Sequence, residues 1–269
     1  MTASGAIEPQ EGRRLFGGDP HGYDAGRPGH PERVYEVLVE RCGLGPGRTV
    51  VEIGAGTGQA TRRLLELGAG SFIAIEPDPS LAAFLSEAFG RRVDVRIVAL
   101  EDAELPATSV DLGVAASSFH WVEEEVGLAK VFGALRPGGS WAMWWTLFGD
   151  DSRPDPFRDA VDPILGDLPT SPCEGRQGRP RFGLDVDARA AALAAAGFDS
   201  FRHELIPWNF EWDAAGIRAL YATFSPIARL EDQRREAILD SVGRVAQLEF
   251  GGRVRRPLLT TLYTARRPA

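Results

Sequence analysis

The sequence predicts an α/β chain built on a doubly wound, mostly parallel sheet, and three stretches carry that prediction. The first, Thr49–Thr61, reads Thr-Val-Val-Glu-Ile-Gly-Ala-Gly-Thr-Gly-Gln-Ala-Thr. A β-branched apolar run (Val50, Val51, Ile53) meets alternating glycines at Gly54, Gly56 and Gly58, and a helical pattern follows from Ala60. A buried parallel strand running into a tight glycine turn and a helix is the opening unit of such a sheet. The second, Ser71–Glu76, is a short apolar strand ending in an acid. The third, Asp111–Ala115, is another apolar strand, and helical stretches separate all of them. Strands alternating with helices bury both faces of a parallel sheet.

Composition narrows the function classes. The chain has 269 residues, 43% hydrophobic and 25% charged, which suits one large domain or one domain with a sizeable insertion. Its net charge of −8 argues against nucleic acid as the main partner. The one local basic cluster, Arg253, Arg255 and Arg256, reads as a solvated edge. Cys42 and Cys173 lie far apart without a Cys-x-x-Cys, so neither a disulfide framework nor a metal site is expected. The N-terminus lacks an apolar signal core and no run approaches membrane-spanning length. A cytoplasmic protein with a small-molecule substrate and no membrane partner is therefore expected.

Each element follows from local pattern. Residues 1–15 are polar and read as a flexible N-terminus; 16–269 read as the domain, with a core over 32–147, cap or insert helices over about 148–250 and a final strand over about 254–266. Phe16–Pro31 is rich in turn residues. Glu32–Cys42 places Val34, Val37 and Leu38 on one helical face, with Pro31 at the start and Gly43–Gly47 as the break. After Glu76, Pro77-Asp78-Pro79-Ser80 opens a helix capped by Asp78 or Ser80 and stopped at Gly90. Val93–Val98 is a third strand, Glu123–Leu135 a helix, Arg136–Gly139 a turn and Trp141–Thr146 a fifth strand. Leu147–Arg181, with its many prolines, reads as a long connection or a loosely helical cover. Helices are expected over Asp185–Ala196, Asp213–Thr223 and Leu230–Leu248, and strands over Phe201–Trp212 and Val254–Arg266.

The glycine spacing separates two cofactor classes. A dinucleotide fingerprint, Gly-x-Gly-x-x-Gly, needs glycine where Gln59 stands. The stretch instead resembles motif I of the class I S-adenosylmethionine (SAM)-dependent methyltransferases, hydrophobic-hydrophobic-Glu-hydrophobic-Gly-x-Gly-x-Gly. The acid segment Ala99–Pro106, Phe119-His120-Trp121 after the fourth strand, and Leu135-Arg136-Pro137-Gly138-Gly139 continue the resemblance in order over roughly residues 16–150. The run resembles the type 11-like members that act on small molecules. This implies a seven-stranded Rossmann-like sheet with an antiparallel end strand, a helical C-terminal cap, and SAM as cofactor.

The resemblance also implies roles. Glu52 supports the glycine turn, while Gly54, Ala55, Gly56 and Gly58, with Thr57 and Gln59 beside them, approach the methionine part of the cofactor. Glu76, beside Pro77, holds the ribose, since a carboxylate accepts from both hydroxyls. Glu101 or Asp102 accepts from the adenine amino group, and Ser117 makes backbone contact with the methionine amino group. Tyr23-x-x-x-Arg27-Pro28 resembles a family segment lying over the methionine moiety, with His30 replacing its second tyrosine. Arg27 can pair with a carboxylate there and Tyr23 can lie near a sulfonium; a loop that merely clasps the domain is the alternative.

The expected reaction moves a methyl group from SAM to an O, N or C nucleophile and releases S-adenosylhomocysteine. Orientation and desolvation carry most of such a displacement, and an O or N nucleophile must also lose a proton. His120 is the candidate general base, against the alternative of a packed residue between Phe119 and Trp121. Three rival readings stand beside this one: a fold-sharing protein that uses SAM without donating, for a cyclisation or rearrangement; a nicotinamide-dependent oxidoreductase, against which Gln59 and the Phe-His-Trp run count; and a non-enzymatic SAM-sensing module, against which the large aromatic cap counts.

Overall fold

The computed structural model describes residues 17–166, 168 and 180–269; the expected flexible N-terminus and Cys173 lie outside them. Helices α1 (Pro20–Gly26) and α2 (Glu32–Cys42) precede β1 (Val50–Ile53), α3 (Gln59–Glu66), β2 (Phe72–Ile75), α4 (Pro79–Phe89), β3 (Asp94–Arg96) and β4 (Val110–Ala116). Then come α5 (Glu124–Ala134), β5 (Leu135–Leu147), α6 (Pro156–Leu165), α7 (Val186–Ala195), β6 (Asp199–Asp213), α8 (Ala214–Ala222), α9 (Ser225–Ala228), α10 (Asp232–Glu249) and β7 (Arg253–Arg266).

The seven strands form one sheet in the order β3-β2-β1-β4-β5-β7-β6. β1 pairs in parallel with both β2 and β4, and every residue of β1 and β2 is buried. That burial explains why these strands read as unbroken apolar runs. β7 runs antiparallel to β5, and β6 antiparallel to β7, closing the sheet with the expected antiparallel edge. Chain order reverses between β1 and β4, so the crevice at their carboxyl ends is the natural binding place.

Helices cover both faces. Val34 and Leu38 of α2, Leu64 of α3 and Leu85 of α4 pack with Trp144 on one face. Leu128 and Val131 of α5 and Leu193 of α7 pack with Trp141 and Tyr263 on the other. A third cluster joins Phe157 and Val161 of α6 to Leu220 of α8, Val242 of α10 and Leu258 of β7, and this is the cap.

One helix departs from the sequence expectation, and a second falls in the stretch read as a connection or a loosely helical cover. In the turn-rich segment, Asp19 caps α1 by accepting from Gly22 N–H, with Pro20 in the first turn. In the proline-rich connection, Asp155 caps α6 by accepting from Arg158 N–H, again with a proline at the start. Proline in a first turn loses no hydrogen bond, so these prolines begin helices instead of breaking them. β5 also begins earlier than expected. Leu135 pairs with Val110, the register then shifts, and pairing resumes at Ser140 with Leu112, so the Arg-Pro-Gly-Gly run is a bulge within a strand.

Candidate active site

The glycine turn is built by the carboxylates around it. Gly54, Gly56 and Gly58 all have positive φ, of 66°, 60° and 83°. A Cβ on Gly58 would meet the Phe89 ring at 2.4 Å, whereas one on Gly56 would meet nothing within 4 Å and would project into open cleft. Gly56 N–H donates to Glu76 Oε2 at 2.8 Å and Asp78 N–H to Glu76 Oε1 at 2.9 Å. The turn is thereby tied to the end of β2, and each Glu76 oxygen keeps a free lone pair. Burial raises the Glu76 carboxyl to about 7 against the pull of those two N–H groups.

Glu52 is fully buried in β1. Its Oε2 accepts from the Thr61 hydroxyl at 2.5 Å, which anchors α3 to β1. Its Oε1, and the hydroxyl of Thr57, have no partner although both residues line the cleft. Burial, opposed by the Thr61 hydroxyl and reinforced by the charge of Glu76, raises Glu52 to about 8. An unpartnered buried oxygen in a cleft wall is a group waiting for a donor.

The N-terminal segment closes one side of the cleft. Gln59 Nε2 donates to the carbonyls of Arg27 (2.9 Å) and Asp24 (3.3 Å), so the residue that breaks the dinucleotide pattern instead fastens this segment to α3. Arg27 lies over the rings of Tyr23 and Phe148, at 4.9 and 5.0 Å. It donates through Nε to the Thr223 hydroxyl at 3.0 Å, and no carboxylate of the described residues pairs with it. Thr223 is thus the anchor of Arg27.

A second cavity of about 710 Å³ lies under the cap. Tyr23, Arg27, Ser117, Trp121, Thr146 and Phe148 line both spaces, so the two adjoin. Ser117 marks the junction in a left-handed conformation (φ 55°), and its N–H donates to Trp144 O at 2.7 Å. Such a strained non-glycine residue marks a position that the surrounding structure holds in place. The Ser118 hydroxyl donates to Ile53 O, joining the ends of β4 and β1.

His120 lines the second cavity. Its Nδ1 accepts from the Trp145 indole N–H at 3.0 Å. An indole nitrogen only donates, so Nδ1 is unprotonated and the ring proton sits on Nε2. Burial, with the charge of Arg27 behind it, pushes His120 down to about 3. The expected general base is therefore a neutral ring with a hydrogen to give and no accessible lone pair, which corrects that role.

The acid segment also departs from expectation. Asp102 is exposed, Glu101 accepts from Glu123 N–H at 3.0 Å, and neither lines the cleft; Ala99 and Leu100 do. The other expected residues Tyr23, Gly54, Ala55, Gly56, Thr57, Gln59 and Glu76, with Pro77 beside them, come together there. Gly58 supports the turn from behind.

Sequence reading missed the far wall of the cavity. Arg256, assigned to a solvated edge, is 1% exposed and donates to Asp155 through Nε and Nη2, to Phe148 O and to the Tyr221 hydroxyl. The inward period-two pattern Val254-x-Arg256-x-Leu258 of β7 was the available signal. Among the described residues, no cluster of His, Cys, Asp and Glu is arranged to hold a metal, and no helix is long and apolar enough to cross a membrane.

Comparison with known proteins agrees with this geometry. Residues 50–139 match the family model of a methyltransferase domain. An uncharacterised methyltransferase of Schizosaccharomyces pombe is 26% identical, over 94% of this chain and 96% of its own length. Among solved structures, an Anaeromyxobacter dehalogenans protein provisionally assigned as a type II methyltransferase overlays with a TM-score of 0.59 at 22% identity, covering 90% of this chain and 96% of that one. A Haemonchus contortus phosphoethanolamine N-methyltransferase, solved with SAM, overlays at 0.57 and 13% identity; 93% of this chain spans 57% of that longer one.

Proposed function

We propose that the chain is a class I SAM-dependent methyltransferase and that it transfers the methyl group of SAM to a small-molecule acceptor enclosed under the cap. The observation that carries the proposal is the cleft with an unpartnered buried carboxyl oxygen, Glu52 Oε1, adjoining a cavity of about 710 Å³ through a shared wall. Small-molecule sites fall in this size range.

The residues present fit the cofactor. Glu52 Oε1 and the Thr57 hydroxyl would receive the methionine ammonium, and Arg27 the methionine carboxylate. Glu76 keeps lone pairs for both ribose hydroxyls, and Ala99, Leu100 and Val122 offer an apolar slot for adenine. When bound, SAM supplies an electrophilic methyl carbon on a sulfonium. The chain's work is to orient the two reactants and exclude water. Gln59 holds the N-terminal segment shut, Ser117 and Thr146 form the junction, and Tyr23 and Phe148 wall it with rings that tolerate a cation.

Calorimetric titration with SAM, S-adenosylhomocysteine and NAD in parallel tests the proposal. Binding of the adenosyl compounds alone, with S-adenosylhomocysteine released in an acceptor screen, is the expected result. Binding of NAD alone refutes it.

A further inference from the structure

Hydrogen-bond donors face the acceptor chamber from both ends, beside hydroxyls of Ser117, Thr146 and Ser225 that can donate or accept. At its cofactor end, His120 carries its proton on Nε2 because Nδ1 accepts from Trp145, and that proton has no acceptor among the described residues. At the far wall, the Tyr221 oxygen accepts from Arg256 Nη1 at 3.3 Å, so the phenolic hydrogen is left to give. Arg256 is held by Asp155, with both side chains at most 2% exposed, and cannot turn away. Tyr221 itself is 2% exposed. The carboxylates among the described lining residues, Asp159 and Asp162, are solvent-exposed at the rim. Behind the junction stands Arg27, whose charge no described carboxylate neutralises.

A chamber walled by donors wants a ligand rich in acceptors, and buried donors left unpaired penalise a ligand that lacks them. Among the described residues the chamber also lacks a base. His120 has no free lone pair, the Tyr221 hydroxyl is pushed up to about 12 by burial, and no buried carboxylate of the described lining faces inward. Alcohols, phenols and protonated amines all need a proton removed before or during methylation. A carboxylate does not, because it is ionised at neutral pH and carries its nucleophilic lone pairs already.

We propose that the acceptor is a carboxylic acid, bound as its carboxylate with one oxygen on the His120 Nε2–H, and methylated on oxygen to a methyl ester. A carboxylate lone pair forms the new O–CH3 bond as the S–CH3 bond breaks, and that electron pair stays on sulfur. The sulfonium and carboxylate charges cancel, and no proton moves. Tyr221 is the specificity-determining donor for a second oxygen at the far wall. This rests on the reading of the adjoining cleft as the SAM site.

The test uses the full chain with S-adenosylhomocysteine bound. Acid, carboxamide, alcohol and amine forms of three skeletons (3-phenylpropyl, indole-3-ethyl and decyl) are titrated, and radiolabelled methyl transfer from SAM is followed by mild alkaline hydrolysis. The expected result is that, on at least one skeleton, the acid binds about tenfold or more tightly than its amide, alcohol and amine, and base releases the transferred label as methanol. Tyr221→Phe then raises KM for that acid about tenfold and leaves S-adenosylhomocysteine affinity unchanged. His120→Gln, which keeps an N–H donor, retains methyl transfer, whereas His120→Leu loses it; a base would be lost in both. A preferred amine or alcohol, base-stable label, or no acid bound more tightly than its amide overturns the proposal while leaving the cofactor site standing. Failure to bind S-adenosylhomocysteine overturns the cofactor reading, and this proposal with it.

Discussion

Glu52 offers the most discriminating test of the cofactor cleft. Its carboxyl is raised to about 8 in the folded chain, chiefly by burial, so at pH 7 it is about nine-tenths protonated. An ammonium brought to Oε1 favours the ionised form. Binding of SAM or S-adenosylhomocysteine at pH 7 should therefore expel about 0.9 proton from this group, and affinity should fall close to tenfold for each pH unit below 7. Calorimetry at pH 7 in phosphate and in Tris, whose ionisation enthalpies differ, counts the protons. Glu52→Gln should release about one proton fewer than the wild type and bind more weakly.

The same group sets a sign for stability without ligand. Its folded value lies above its unfolded one, so its contribution is fully present below pH 4.5 and is lost as pH rises through 8. Glu52→Gln should gain stability over the wild type between pH 5 and 8, by roughly 3 kcal/mol from the displacement of the carboxyl. Equal proton release by wild type and variant would refute the reasoning, because Glu52 would then be ionised before the ligand arrives or would not meet its ammonium.

Three further outcomes follow from the geometry. Glu76→Ala removes the acceptor for Gly56 and Asp78 N–H and for the ribose, and calorimetry should show S-adenosylhomocysteine affinity reduced by roughly 10–100-fold; unchanged affinity would remove Glu76 from the ribose role. Gly58→Ala combines a left-handed conformation with a clash against Phe89 and should cost roughly 2–4 kcal/mol in denaturant unfolding, while Gly138→Ala, left-handed but in open space, should cost about 1–2. Asp155→Ala strands the buried Arg256 charge and should cost roughly 3–5 kcal/mol, whereas the paired replacement Asp155→Leu with Arg256→Met should restore most of it.

The legible parts of this chain are those whose cause is local. Val50–Ile53 announces a doubly buried strand because both of its faces meet helices, and the alternating glycines announce a turn that only positive φ can make. Glu52 and Glu76 were expected at the cleft from their places relative to that turn, and Tyr23 and Arg27 from the resemblance of their own segment; all four line it. Proline misled at Pro20, where its position in the helix mattered more than its presence, since the capping aspartate decides whether a proline starts a helix.

What the sequence by itself determined is the α/β architecture, the succession of core strands and helices along the chain and the resemblance of the glycine turn, since these follow from hydrophobic period, turn chemistry and motif spacing. Only the tertiary structure decided the chemistry of the second chamber. The proton on His120 is set by Trp145 of β5, the orientation of Tyr221 by Arg256, and that of Arg256 by Asp155, 101 residues earlier. A tautomer and a hydrogen-bond direction belong to pairs of groups, and those pairs meet only in the folded chain.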